Sequence, residues 1–92
     1  MKKSDQLYSQ LLYVLHQNTF SELDTISENS VSNEDINKVR QMIDMIVMLK
    51  NKTKGNLGAE LSQIQDVMLE ELESLYTKKF SKFMTNESTG KQ

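Results

Sequence analysis

Three observations predict an all-α fold. The chain has no proline and only three glycines, which removes the usual punctuation of strands and hairpins. Its apolar residues recur at intervals of three and four. The run Met42 to Leu49 is apolar but for Asp44, so a helix there is greasy on nearly every side and needs more than one neighbour. Together they predict three helices in an up-down-up arrangement with a long C-terminal helix. Dimerisation is expected to complete it, because a 92-residue monomer leaves a large share of its apolar surface in water.

The first helix is expected from about 4 to 20, with Leu7, Leu11, Val14 and Leu15 on one stripe and Tyr8 and Leu12 widening it. Residues 21–32 are rich in Ser, Asn, Asp and Glu, with isolated Leu23, Ile26 and Val31, and read as a connection. The second helix is expected from about 33 to 54. Ser32 offers a capping hydroxyl and Asp35 a carboxylate three positions on, while acids in the first turn favour the positive end of the dipole. Ile36, Val39, Ile43, Ile46, Val47 and Leu49 form one stripe, and Met42, Met45 and Met48 add a second. Gly55 is expected to stop this helix in a left-handed C′ conformation, with Lys50, Lys52 and Lys54 facing the negative dipole end.

The short Asn56-Leu57-Gly58 link makes the second and third helices antiparallel neighbours. The third helix is expected over about 59–84, carrying Leu61, Ile64, Met68, Leu72, Leu75, Phe80 and Phe83, flanked by Leu69 and Tyr76. Residues 1–84 then make one helical domain. Residues 85–92 have no apolar side chain and are expected to be disordered.

Composition excludes several classes of function. Without cysteine there is neither a disulfide framework nor a thiolate metal site, and one histidine cannot build a histidine cluster. A formal charge of −2, from 11 basic and 13 acidic residues, argues against a broadly basic nucleic-acid binder but permits a local basic patch. Met1-Lys2-Lys3 followed by Leu11-Leu12-Tyr13-Val14-Leu15 superficially imitates a secretory signal. The apolar part is too short, however, and no small-residue cleavage site follows. The Met42 run is also far shorter than the roughly 20 residues a bilayer needs. The expectation is a cytoplasmic protein with no membrane span, no cofactor and no small-molecule substrate.

Val39-Arg40-Gln41-Met42-Ile43-Asp44-Met45-Ile46-Val47-Met48-Leu49, followed by Lys52-Thr53-Lys54-Gly55-Asn56-Leu57, resembles the signature of a bacterial family known as domain of unknown function 1844. In that family an Ile-Asp-Leu-Leu type helix leads into Glu-Lys-Thr-Lys-Gly-Asn-Leu and then an acidic final helix. The resemblance covers roughly Tyr8 to Tyr76, and its Lys-Thr-Lys-Gly-Asn-Leu part is the specific one. It departs at Phe20 to Asn33, where the family's Gly- and Pro-containing connection is missing. It departs again at Gly58, which stands where a capping threonine is common and which glycine's capping preference tolerates. The resemblance implies no reaction, cofactor or catalytic residue for this chain.

The candidate residues fall into three groups. Met42, Met45, Ile46, Met48, Leu49, Leu69 and Tyr76 form the expected interface of a non-enzymatic module that pairs with a second copy or another protein. Lys2, Lys3, Lys50, Lys52 and Lys54 would gather at one tip of an up-down-up bundle. There Lys50, Lys52, Lys54 and Asn56, with Thr53, would contact the phosphates of RNA or a ribosome. Against this, lysines at a helix C-terminus ordinarily complement the dipole, and no aromatic interleaves them to stack on bases. Asp44 is the expected buried polar residue of the apolar run. Its plainer reading is a helix-edge acid that accepts hydrogen bonds from a neighbouring helix or a lysine. His16 reads as a helix-end histidine. Glu60, Asp66, Glu70, Glu71 and Glu73 read as a solvated acidic face, with Lys78, Lys79 and Lys82 complementing the C-terminal end of their helix.

Overall fold

The computed structural model describes residues 3–90. Helices α1 (Lys3–Thr25), α2 (Asn33–Lys52) and α3 (Ala59–Gly90) make up the described chain, which has no strand. Each helix packs on both others. The longest dimension is 49 Å, the length of the 32 residues of α3 at about 1.5 Å each.

The start of α2 is built as its sequence implies. The Asp35 amide donates to Ser32 Oγ at 3.1 Å, and the Asp35 carboxylate takes the Ser32 amide hydrogen at 3.1 Å. This reciprocal capping box satisfies two amides that would otherwise lack partners. Ser32→Ala is expected to cost about 1 kcal/mol. Thermal unfolding followed by circular dichroism would check it, and a loss under about 0.3 kcal/mol would mean the cap is frayed in solution.

At the other end α2 stops at Lys52, two residues short of the expected 54. The Thr53 amide and hydroxyl both donate to the Leu49 carbonyl, at 3.0 and 2.6 Å. That double bond closes the helix before Gly55, which sits two residues beyond the cap with φ +85°. The left-handed glycine is where it was expected, and it turns the chain rather than ending the helix. Gly58 opens α3 by accepting the Ser62 amide at 2.9 Å.

The core is a row from each helix: Leu12, Thr19 and Leu23 with Ile26 just beyond α1; Ile36, Val39, Ile43 and Ile46 on α2; Leu61, Gln65, Leu69, Leu72, Tyr76 and Phe80 on α3. Two expectations are corrected here. First, α1 continues to Thr25, five residues past the expected 20, because Leu23 and Ile26 prolong the buried row through a polar-looking segment. Thr19 hides in that row by donating its hydroxyl to the Leu15 carbonyl at 2.7 Å. The row turns the helix so that Leu12 is only 1% exposed while Leu7, Leu11 and Val14, expected inside, face solvent. Second, α3 continues to Gly90 where a disordered segment was expected from 85. No proline intervenes, and propagating a helix costs far less than starting one. The remaining tail residues Lys91 and Gln92, and Lys2 of the expected basic tip, lie outside the described residues, as do the side chains of Lys82 and residues 84–90.

On α3 the buried spacing of four, four, three, four and four runs through Gln65 and Leu69 rather than Ile64 and Met68. Ile64 is largely exposed and Met68 half-buried.

Candidate functional site

The expected interface divides into residues already used and residues left over. Ile46, Leu69 and Tyr76 are buried by their own chain and are corrected from interface to core. Two neighbouring helices, not a second subunit, cover that stripe. Met42 and Leu49 are half-buried, whereas Met45 and Met48 are 45% and 46% exposed.

Leu7, Leu11 and Val14, spaced four and three apart along α1, also face solvent. Lys38 of α2 pairs with Glu22 of α1 at 2.5 Å, and this contact marks the side on which the two helices meet. The Glu22 carboxylate holds Lys38 above its ordinary pKa, by hydrogen bonding first and charge second. Met45 lies seven residues after Lys38, and Glu22 lies eleven after Leu11, spacings that return nearly to the same helix face. Leu11 and Met45 therefore lie on the side where α1 and α2 meet, and Leu7 and Val14 are exposed beside Leu11 on α1. The spacing marks Leu7, Leu11 and Val14 as one stripe, but the core takes Leu12 instead, since Leu11 and Leu12 are adjacent and only one of them can face it.

A second exposed apolar strip lies on α3. A cavity of about 490 Å³ is bordered by His16, Ile64, Val67, Met68 and Glu71. His16 is not merely a helix-end histidine. Its Nε2 meets the Glu71 carboxylate and its ring stacks on Phe20 with centroids 6.4 Å apart, so it ties α1 to α3.

Asp44 is corrected from buried to exposed, its side chain being 61% open to solvent. It does occupy a helix edge, but its partner is neither a lysine nor another helix: Arg40, one turn earlier, donates Nε–H to it at 3.0 Å. The same guanidinium grips Glu73 on α3 with two bonds of 2.8 and 3.0 Å, and its carbon stands 5.1 Å above the Tyr76 ring. Hydrogen bonding from Arg40 holds the Glu73 carboxyl below its ordinary pKa, against the opposing effect of burial. Burial chiefly raises the Tyr76 phenol. Glu73 is thus an inter-helix anchor rather than part of a solvated face. Arginine suits this site because its planar fork can hold one carboxylate bidentately while its face covers an aromatic ring.

The lysine-rich turn is partly engaged. Lys50 Nζ lies 2.8 Å from Asp66 Oδ1, close enough for charge attraction, although the oxygen lacks a well-aligned hydrogen bond. Lys52, Lys54 and Asn56 are exposed, as is Lys3. Lys50 and Lys54, with Asn51, Thr53, Ser62 and Gln65, border a cavity of about 210 Å³ beneath the turn. Gln65 is 1% exposed, and its carbonyl oxygen accepts the hydroxyl hydrogen of Tyr8 from α1. Nothing in the sequence marked this buried glutamine, since an apolar pattern passes over it.

Among the described residues, no group of three His, Asp or Glu side chains could hold a metal ion. No helix among them is long and apolar enough to cross a membrane. The family model described as Domain of unknown function (DUF1844) matches residues 7–78. No curated protein and no solved structure matches the chain.

Proposed function

The chain belongs to the family described as Domain of unknown function (DUF1844), and from that premise we propose that it is a non-enzymatic helical interaction module whose α1–α2 face binds a second copy of itself. The observation that carries this reading is the exposure of Leu7, Leu11 and Val14 on α1 and of Met45 on α2, with Leu11 and Met45 on the side where the two helices meet. Large apolar side chains grouped on one side are more telling than the same residues scattered singly. A two-fold contact would set each row against its own copy, so a single surface serves both partners. Met42, Met48 and Leu49 belong to this interface as its margin. A net charge of only −2 leaves little repulsion between copies.

Two finer parts belong to the same reading. The helices run up, down and up: Tyr8 meets Gln65 and His16 meets Glu71 in rising order, while Arg40 meets Glu73 and Lys50 meets Asp66 in falling order. The protein acts in the cytoplasm, in keeping with a chain that has no cysteine and no membrane-crossing helix among its described residues.

Size-exclusion chromatography with light scattering at tens of micromolar tests self-association. A dimer mass is expected for the native chain and a monomer mass for Met45→Glu and Leu11→Glu. Both positions already face solvent, so both variants keep native helicity, and circular dichroism separates lost association from lost folding. A native chain that stays strictly monomeric overturns the reading.

A further inference from the structure

We propose that the cavity between the C-terminal turn of α2 and the first turn of α3 binds a phosphate group. This goes beyond the self-association reading and uses other side chains, those of the turn that joins α2 to α3. Several features of the cavity converge on an anion.

Its volume, about 210 Å³, holds roughly seven waters at ~30 Å³ each. It falls below the roughly 300–1,000 Å³ of sites for drug-sized molecules, so its occupant is a small ion or the charged end of something larger. The lining is rich in donors. Lys54 has no carboxylate partner among the described residues. Lys50 is drawn to Asp66 by charge at 2.8 Å without a well-aligned hydrogen bond, so its ammonium hydrogens stay available.

Gln65 is the informative residue. Its side chain is 99% buried at the cavity's edge, and its oxygen is already engaged by the Tyr8 hydroxyl. The side-chain NH₂ therefore remains as the donor, and among the described residues no acceptor meets it. The one sealed and unsatisfied side-chain atom among the described residues is Asp66 Oδ1, so the Gln65 NH₂ keeps access to the cavity's water and can exchange it for an anionic oxygen.

The backbone of α3 adds no free donor: of its first turn only Ser62 borders the cavity, and the Ser62 amide donates to the Gly58 carbonyl. Thr53 contributes shape only, because its hydroxyl hydrogen is committed to the Leu49 carbonyl. Two carboxylates limit the site: Asp66 competes for Lys50, and Asp5 Oδ2 lies 3.7 Å from where a Gly58 side chain would begin. A dianionic phosphate with several oxygens is better placed to compete with them than a monovalent ion.

The same chemistry takes its phosphate from either of two sources: a free phosphate or phosphate ester, or the backbone of a nucleic acid. Spectra of the ¹⁵N-labelled full chain, titrated at low ionic strength with inorganic phosphate, test the site directly. The Gln65 side-chain amide and the Lys54 and Gly55 backbone amides are expected to shift saturably with phosphate, and not with sodium chloride of equal ionic strength. Lys54→Gln, a surface change, is expected to weaken binding about tenfold. Gln65→Met, checked for native helicity, is expected to weaken it comparably.

A short single-stranded RNA forms the second arm. If it moves the same resonances and inorganic phosphate displaces it, the site reads a nucleic-acid backbone, and binding falls steeply with salt. If only inorganic phosphate moves them, the ligand is a free phosphate group. A Gln65 amide that stays unmoved at millimolar phosphate overturns the proposal.

Discussion

Replacing Phe80 by alanine is expected to lower the unfolding free energy by about 3–5 kcal/mol. Phe80 is fully buried, and its ring meets the edge of Tyr76 with centroids 5.2 Å apart. Truncation removes the transfer free energy of a large ring and leaves a void that three interlocked helices cannot collapse without moving Tyr76. A single domain is stable by only about 5–15 kcal/mol, and small domains sit toward the low end. The variant is therefore expected to melt more than about 12 °C below the native chain. Phe20→Ala makes the contrast, since Phe20 is 43% exposed and its loss is expected to cost under about 1 kcal/mol. Urea denaturation of the three proteins would decide, and equal losses for the two variants would mean that α3 does not pack as described.

Replacing Arg40 by alanine is expected to cost about 2 kcal/mol at neutral pH and to change how stability responds to acid. The side chain makes a two-bond grip on Glu73, a bond to Asp44 and a cation–π contact on Tyr76, so one truncation removes the polar clasp between α2 and α3. Both carboxylates are substantially solvated, which keeps the expected loss well below that of a buried pair. The pH effect follows from Glu73, whose folded pKa lies below its ordinary 4.5 because Arg40 hydrogen-bonds to it. Ionised Glu73 favours the folded state, so the stabilisation is complete above about pH 4.5 and is lost as pH falls through the depressed value. Native protein should therefore lose more stability between neutral pH and pH 3 than Arg40→Ala does. Arg40→Lys keeps the charge but not the fork, and is expected to restore less than half of the loss. Equal acid sensitivity in native and variant proteins would show that the clasp does not form in solution.

How much of this was legible in the chain differs by helix. On α2 a polar capping box and an apolar row spaced three and four apart agree, and local chemistry alone identifies Ser32, Asp35 and the buried Ile36, Val39, Ile43 and Ile46. On α1 the pattern misleads. Leu11 and Leu12 offer two rival faces, and the choice between them rests on Thr19, a hydroxyl residue concealed by a bond to its own backbone. Asp44 looks buried because its sequence neighbours are apolar. Successive residues on a helix point about 100° apart, so an acid beside Ile43 can still stand at the flank. The candidate cavity was half visible: its lysines and Gly55 stand out in the sequence, while Gln65 and its partner Tyr8 lie 57 positions apart.

The sequence by itself determined the number of helices, the capped start of α2 and the left-handed turn at Gly55. These depend on interactions within about four residues: helical hydrogen bonds, side-chain caps and backbone sterics. Only the tertiary structure decided which apolar residues form the core, where α1 ends and which charges are paired. Those outcomes turn on what each helix face meets across the bundle. Glu73 reaches Arg40 and Glu71 reaches His16 through packing that no local rule encodes.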